Sequence, residues 1–298
     1  MITVSGLTKR YGKRVAVDDM TFDVAPGRVT GFVGPNGAGK STTMRMMVGL
    51  SRPDRGEIRY AGTRYAEFRQ PARVVGAVLD VRSMHPGRTA RNHLLATAAI
   101  TGIPATRAEE VLADVGLTTA ADQRAGGFSL GMRQRLALAG ALLGDPEFLL
   151  LDEPSNGLDP DGIRWLRAYL TDFAGRGGTV FVSSHLIGEL SMFADDLVVV
   201  GGGRLLAAES VDRITSRSDV TVIVQTPQPG ELIARLAAQG LVAEATGDRV
   251  SVHGSTRNAV SHVAFDNGIR IVELTETAPS LEDSLLDLTR ASAEFASA

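Results

Sequence analysis

The chain contains no cysteine, and only three of its 31 basic side chains are lysines: Lys9, Lys13 and Lys40. Without thiols it can form neither disulfides nor thiolate-ligated metal sites, which fits a reducing compartment. Charge of one sign is also lacking. The formal net charge is -3, which gives none of the basic footprint of a nucleic-acid binder. No run approaches the roughly 20 apolar residues that span a bilayer. The richest runs, 136–143 and 197–200, are short and end in Gly or Asp. The start, Met1-Ile2-Thr3-Val4-Ser5-Gly6, lacks the basic-then-apolar pattern of a signal peptide. The chain is therefore expected not to cross a membrane by itself. With 298 residues, 44% hydrophobic and 22% charged, it has the length and composition of a large domain plus a smaller one.

One of the rare lysines closes the run Gly34-Pro35-Asn36-Gly37-Ala38-Gly39-Lys40-Ser41-Thr42. This is G-x-x-x-x-G-K-S, the pattern of a nucleotide-phosphate loop. Its glycines let the backbone curl until successive N–H groups point into one anion-sized hollow. A compact ammonium reaches the β- and γ-phosphates where a planar guanidinium fits poorly. The Ser41 hydroxyl is placed for Mg²⁺, and a helix beginning there turns its positive end toward the anion. A glycine-rich turn that merely starts a helix would share the spacing.

Strands are expected at 15–24 and 28–33 around the Pro26-Gly27 turn, the second running into the loop, with a helix over 41–50 behind it. Further strands at 74–79, 148–151, 179–183, 197–200 and 204–208 accompany helices at 161–174 and 186–193 and a mostly helical stretch over 89–143. Such alternation indicates an α/β core with a mainly parallel sheet and helices on both faces. Gly201-Gly202-Gly203 marks a hairpin. The polar stretch 209–218 reads as a linker between a domain of 1–210 and one of 219–298. In the second, strand 220–226, helix 231–239, strands 241–245 and 249–252, helix 256–265 and strand 270–274 follow the βαββαβ order of a ferredoxin-like α+β domain. An amphipathic helix over 280–288 comes last. No chemical motif falls in this second domain, which suits a structural or docking appendix.

The apolar run Leu149-Leu150-Leu151 ends in Asp152 and Glu153, at the carboxyl edge where open α/β sheets bind ligands. Adjacent acids on extended backbone project in different directions. Asp152 would hold Mg²⁺ through its water shell, and Glu153 would orient or deprotonate an attacking water. A charged turn after a buried strand would look the same. His185 follows Ser183-Ser184 at the end of another expected strand, hence at the same edge. Of the five histidines, His85, His93, His185, His253 and His262, it alone is placed to meet a γ-phosphate or the attacking water. A hydrogen-bonded structural histidine fits that position too.

The stretch Phe128-Ser129-Leu130-Gly131-Met132-Arg133-Gln134-Arg135-Leu136 resembles the signature L-S-G-G-Q-x-Q-R of the ATP-binding-cassette (ABC) ATPases. The phosphate loop, residues 149–154, Ser155-Asn156-Gly157-Leu158-Asp159 and His185 accompany it in family order. The resemblance covers residues 1 to about 210 and implies a P-loop NTPase core with an antiparallel β edge and a helical subdomain at about 84–143. It further implies that Tyr11 stacks on adenine and that Gly34 to Thr42, Lys40 included, hold the phosphates of ATP. Ser41 and Asp152 would support Mg²⁺, Glu153 would be the general base, and His185 the switch histidine. Ser129 and Gly131 would touch the γ-phosphate of a nucleotide bound to the opposite subunit, and Asp159 would report across that interface. In such a composite site ATP acts as the adhesive of a homodimer.

Two departures stand out. Leu130 and Met132 replace a glycine and a glutamine of the commonest signature, while Ser129 and Gly131 remain. Val75-Gly76-Ala77-Val78-Leu79-Asp80 ends in an acid where most of the family has glutamine. Asp80 can ligate Mg²⁺ through oxygen but has no N–H to donate. Family members with an acid here resemble bacterial ABC-2 type drug, antibiotic and bacteriocin exporter subunits, and residues 280–289 look like the tail of that group. Many sugar importers append a β-barrel instead. The implied protein is the ATP-hydrolysing subunit of an exporter. It would be cytoplasmic, held at the inner face of the membrane by a separate integral-membrane permease that docks on the Asp80 loop and the helical region. No direct nucleic-acid partner is implied. The alternative is a non-transport relative acting on ribosome or DNA, which would show tandem cassettes, a coiled-coil insertion or basic arms. A nucleotide kinase would leave the signature and His185 unexplained.

Overall fold

A computed structural model describes residues 1–80, 84–185, 187–216 and 221–277. They fall into two compact units, divided after Ser210. In the first, the elements run β1 (Ile2–Tyr11), β2 (Arg14–Val24), β3 (Val29–Val33), α1 (Lys40–Met47), β4 (Arg55–Tyr60), β5 (Val75–Val78), α2 (Ala90–Thr101), α3 (Arg107–Asp114), α4 (Leu130–Leu142), β6 (Phe148–Leu151), α5 (Pro160–Gly175), β7 (Thr179–Ser184), α6 (Ile187–Ser191), β8 (Asp196–Gly201) and β9 (Arg204–Ser210).

Every residue of β3, β6 and β7 is buried, the mark of strands covered on both faces. They form the middle of a six-stranded sheet in the order β5-β6-β7-β3-β8-β9. All its neighbours are parallel except the β8–β9 hairpin. A second, antiparallel sheet has the order β2-β1-β4. Phe22 of β2 stacks 5.7 Å from Phe181 of β7 and lies 5.9 Å from Phe32 of β3, so one aromatic cluster joins the two sheets.

No local pattern in the sequence marks β1 or β4. The alternation of β1 breaks at Gly6, where φ is 58°, and its pairing with β2 shifts register between Val4 and Leu7. In β4, only Ile58 and Tyr60 turn inward among charged neighbours. Residues 84–143 hold α2, α3 and α4, each short. Thr89 caps α2 by accepting a hydrogen bond from the Asn92 N–H, and Gly102 closes it at φ 69°. The helix expected over 186–193 is the shorter α6, and Leu186 lies outside the described residues.

The second unit begins with α7 (Val211–Ser216), so the stretch read as a linker is instead the end of β9 and a helix up to Ser216. Then follow β10 (Thr221–Gln225), α8 (Pro229–Ala237), β11 (Val242–Thr246), β12 (Arg249–His253), α9 (Arg257–Asp266) and β13 (Glu273–Thr277). The sheet order β11-β12-β10-β13, antiparallel throughout, is ferredoxin-like. Val222, Val224, Val250 and Val252 face Leu232, Leu236, Val260 and Val263 of the two helices. The last strand starts three residues later than the apolar run 270–274 suggests. Gly268, at φ 68°, ends α9, and the N–H of buried Ile269 closes on the Ala264 carbonyl. Ile269, just before that run, is thus spent on capping the helix. The helix expected over 280–288 lies outside the described residues.

Candidate active site

The phosphate loop joins β3, in the middle of the parallel sheet, to α1. Two of its glycines are sterically required. A Cβ on Gly34 would stand 2.2 Å from the Val200 carbonyl oxygen of β8. Gly39 sits at φ 101°, and its Cβ would meet the Ala16 carbonyl at 2.5 Å. Lys40 opens α1 and is only 6% exposed. Its Nζ donates to the Gly34 carbonyl oxygen at 2.6 Å and lies 3.4 Å from Glu153 Oε1.

The acids come from the neighbouring strand ends. Asp152 still belongs to the ladder, its N–H donating to the Val78 carbonyl at 2.8 Å. Glu153 turns into left-handed backbone, φ 51°, a conformation that non-glycine residues adopt at a cost of about 1–3 kcal/mol. Ser183 of β7 meets both residues: its hydroxyl accepts from the Glu153 N–H at 2.9 Å and donates to Asp152 Oδ1 at 2.6 Å. His185 meets Glu153 Oε2 twice, from Nδ1 at 2.7 Å and from its main-chain N–H at 3.3 Å.

Lys40, Glu153 and His185 therefore converge on one cavity of about 420 Å³, lined also by most of the phosphate loop, including Ser41 and Thr42, and by Tyr11. Tyr11 is half exposed, with the Lys9 ammonium 5.5 Å from its ring centre. Asp152 is not part of the lining. Arg14 and Asn156 do line it. Asn156 lies inside a quoted motif, while Arg14 arrives through the β1–β2 hairpin and carries no local signal.

Four other expected site residues stand elsewhere. Ser129 is exposed and caps α4, accepting from the Met132 N–H, with Gly131 in that helix's first turn. Exposed Asp159 caps α5, accepting from the Gly162 N–H at 2.7 Å. Asp80 lines a different cavity, of about 580 Å³, with Tyr65, Leu79, Met84, His93 and Thr97. Burial, helped by the charge of Arg88, holds the His93 imidazole below its usual pKa, and its buried Nδ1 has no hydrogen-bond partner among the described residues. Among those residues no cluster of three or more His, Asp or Glu could cage a metal alone. The hydroxyl and carboxylate oxygens of Ser41 and Asp152 suit Mg²⁺, which commonly takes one or two protein oxygens together with substrate phosphates.

The family profile of the ABC transporter matches residues 17–156. The uncharacterized ABC transporter ATP-binding protein YhcH of Bacillus subtilis (strain 168) is 35% identical over 292 residues, 97% of this chain and 96% of that one. The chain belongs to the ABC transporter ATP-binding proteins. The bacitracin transport ATP-binding protein BcrA of Bacillus licheniformis is 35% identical over 302 residues, 97% of each chain. A solved ATP-binding subunit of an ABC transporter superposes with a TM-score of 0.66 at 28% identity, covering 73% of this chain and 92% of that one. Residues 220–282 match a domain of unknown function (DUF8746). The chain is thus an ABC ATPase, and full-length likeness to transporter subunits sets aside the ribosome- or DNA-acting alternative. Among the described residues, no helix is long and apolar enough to cross a membrane.

Proposed function

We propose that this ABC ATPase energises export through a separate membrane permease, using the cavity between the phosphate loop and the ends of β6 and β7. The convergence of Lys40, Glu153 and His185 on that cavity is the observation that carries the reading. The backbone of residues 34–42 and the Lys40 ammonium hold the phosphates, and Tyr11 stacks on adenine. A γ-phosphate taken by Lys40 replaces Glu153 as its counter-ion and leaves Oε1 to a water. Glu153 then orients that water and accepts its proton. His185, already bonded to Glu153 Oε2, fixes the carboxylate's other oxygen and reaches the γ-phosphate. Ser41 and Asp152 would hold Mg²⁺, which neutralises phosphate charge when bound.

Ser129, Gly131 and Asp159 serve the site of a second copy, so two chains close on ATP as a homodimer. The groove at Asp80 and α2 receives the permease, which keeps the chain at the inner face of the membrane. Residues 1–210 form the nucleotide-binding domain and 219–298 an accessory one. Export, rather than import, rests on the acid at Asp80 and on the likeness to a protein named for bacitracin transport.

Glu153→Gln tests the reading. The variant keeps nucleotide affinity within about twofold and loses at least a hundredfold in kcat, the size of a general-base contribution. Turnover at the wild-type rate would overturn the base assignment.

A further inference from the structure

We propose that Ser183 is a positioning residue of this site. Its one hydroxyl sets the Asp152 carboxylate for the metal and holds the backbone of Glu153. The proposal rests on the roles assigned above to Asp152 and Glu153.

The placement follows from sheet register. Leu151 pairs with Val182 across the parallel β6–β7 ladder, which brings Asp152 level with Ser183. The Ser183 side chain is wholly buried, so its hydroxyl has no water to choose. It has one proton, and that proton goes to Asp152 Oδ1 at 2.6 Å, the short distance of a charge-assisted bond. Its lone pair takes the Glu153 N–H at 2.9 Å. The first contact keeps the carboxylate from rotating and would leave Oδ2 available to a bound Mg²⁺. The second fixes the peptide between the two acids, just before Glu153 enters left-handed backbone. His185, two residues on, then grips the Glu153 carboxylate. The end of β7 thus holds both acids that follow β6: Ser183 takes the Asp152 side chain and the Glu153 backbone, and His185 takes the Glu153 side chain.

A serine that merely satisfied its own buried hydroxyl would matter for stability alone. The two roles separate in nucleotide binding measured with Mg²⁺ and with EDTA, using ADP so that no turnover intervenes. Ser183→Ala should shrink the Mg²⁺-dependent gain in ADP affinity about tenfold and leave metal-free affinity within twofold. Its kcat for ATP should fall about ten- to a hundredfold, as for a lost hydrogen bond to a charged group, with KM nearly unchanged. Ser183→Thr, which keeps the hydroxyl, should recover most of both. A wild-type Mg²⁺-dependent gain and kcat in Ser183→Ala would overturn the proposal, whatever the change in Tm. If that variant does not fold, Ser183→Cys, nearly isosteric and a poorer donor, is held to the same two outcomes. Asp152→Asn measured alongside separates the failures. If it abolishes the Mg²⁺-dependent gain while Ser183→Ala does not, only the serine's role falls. If Asp152→Asn keeps the gain, the metal assignment falls and takes the serine's role with it.

Discussion

Gly34 and Gly140 have opposite surroundings, and the contrast shows what a single methyl group costs at this site. At Gly34 a Cβ would meet the main-chain carbonyl of Val200 at 2.2 Å. Val200 is itself fixed by pairing with Leu205 in the β8–β9 hairpin, so neither backbone can retreat cheaply. Gly34→Ala should therefore destabilise the protein by about 1–3 kcal/mol or more, as overpacking does. It should also weaken nucleotide binding at least tenfold, because the Gly34 carbonyl holds the Lys40 ammonium. At Gly140, inside α4, nothing beyond its own helix lies within 4 Å of the added atom. Gly140→Ala should raise stability by about 0.5–1 kcal/mol through helix propensity. Thermal melts with and without ATP check both. A Gly34→Ala protein that melts and binds like the wild type would mean that the loop does not need to approach β8.

At the scale of elements, local pattern decided what could be read. The strands at 148–151 and 179–183 were legible because burial on both faces makes their sequences continuously apolar. β1 and β4 were not, since a register shift and alternating charges hide their inward faces. The phosphate loop and the Asp152–Glu153 pair are contiguous in sequence and so were legible. The Ser183 contact was not, because it depends on the register between β6 and β7, which no local pattern encodes. The nearness of Ser183 to His185 at the end of β7 is the one local hint. α2 carries a similar hidden feature in His93. Burial lowers its pKa in the folded chain below the unfolded value of 6.5. The folded state therefore binds this proton less readily than the unfolded one, and acid favours unfolding. The contribution is complete above about pH 6.5 and is lost as pH falls through the lowered folded value. Between pH 7.5 and about 5 the wild type should lose more Tm than His93→Gln, which has no proton to gain. Equal losses would show that His93 titrates alike in both states.

At the scale of the whole molecule, one chain supplies both a nucleotide cavity and signature residues that stand apart from it. Exposed Ser129 at the head of α4 and exposed Asp159 at the head of α5 each spend a side-chain oxygen on capping their own helix. Neither lines the cavity that holds Lys40 and Glu153. Helix N-termini carry partial positive charge and unsatisfied N–H groups, so α4 presents an anion-seeking end away from its own phosphate loop. In the dimer proposed above, a second copy would bring that end to the γ-phosphate, and the closed dimer would be the species that hydrolyses ATP. With ATP and Mg²⁺, Glu153→Gln should therefore run at twice the 31.5 kDa mass of one chain in light scattering and revert to monomer when nucleotide is removed. Adding Ser129→Arg to that background should keep ATP affinity in the monomer within about threefold and abolish the dimer. The bulky cation would occupy the place where the helix end meets the phosphate. Loss of monomer affinity in Ser129→Arg would place Ser129 in its own chain's site and remove the case for a shared one.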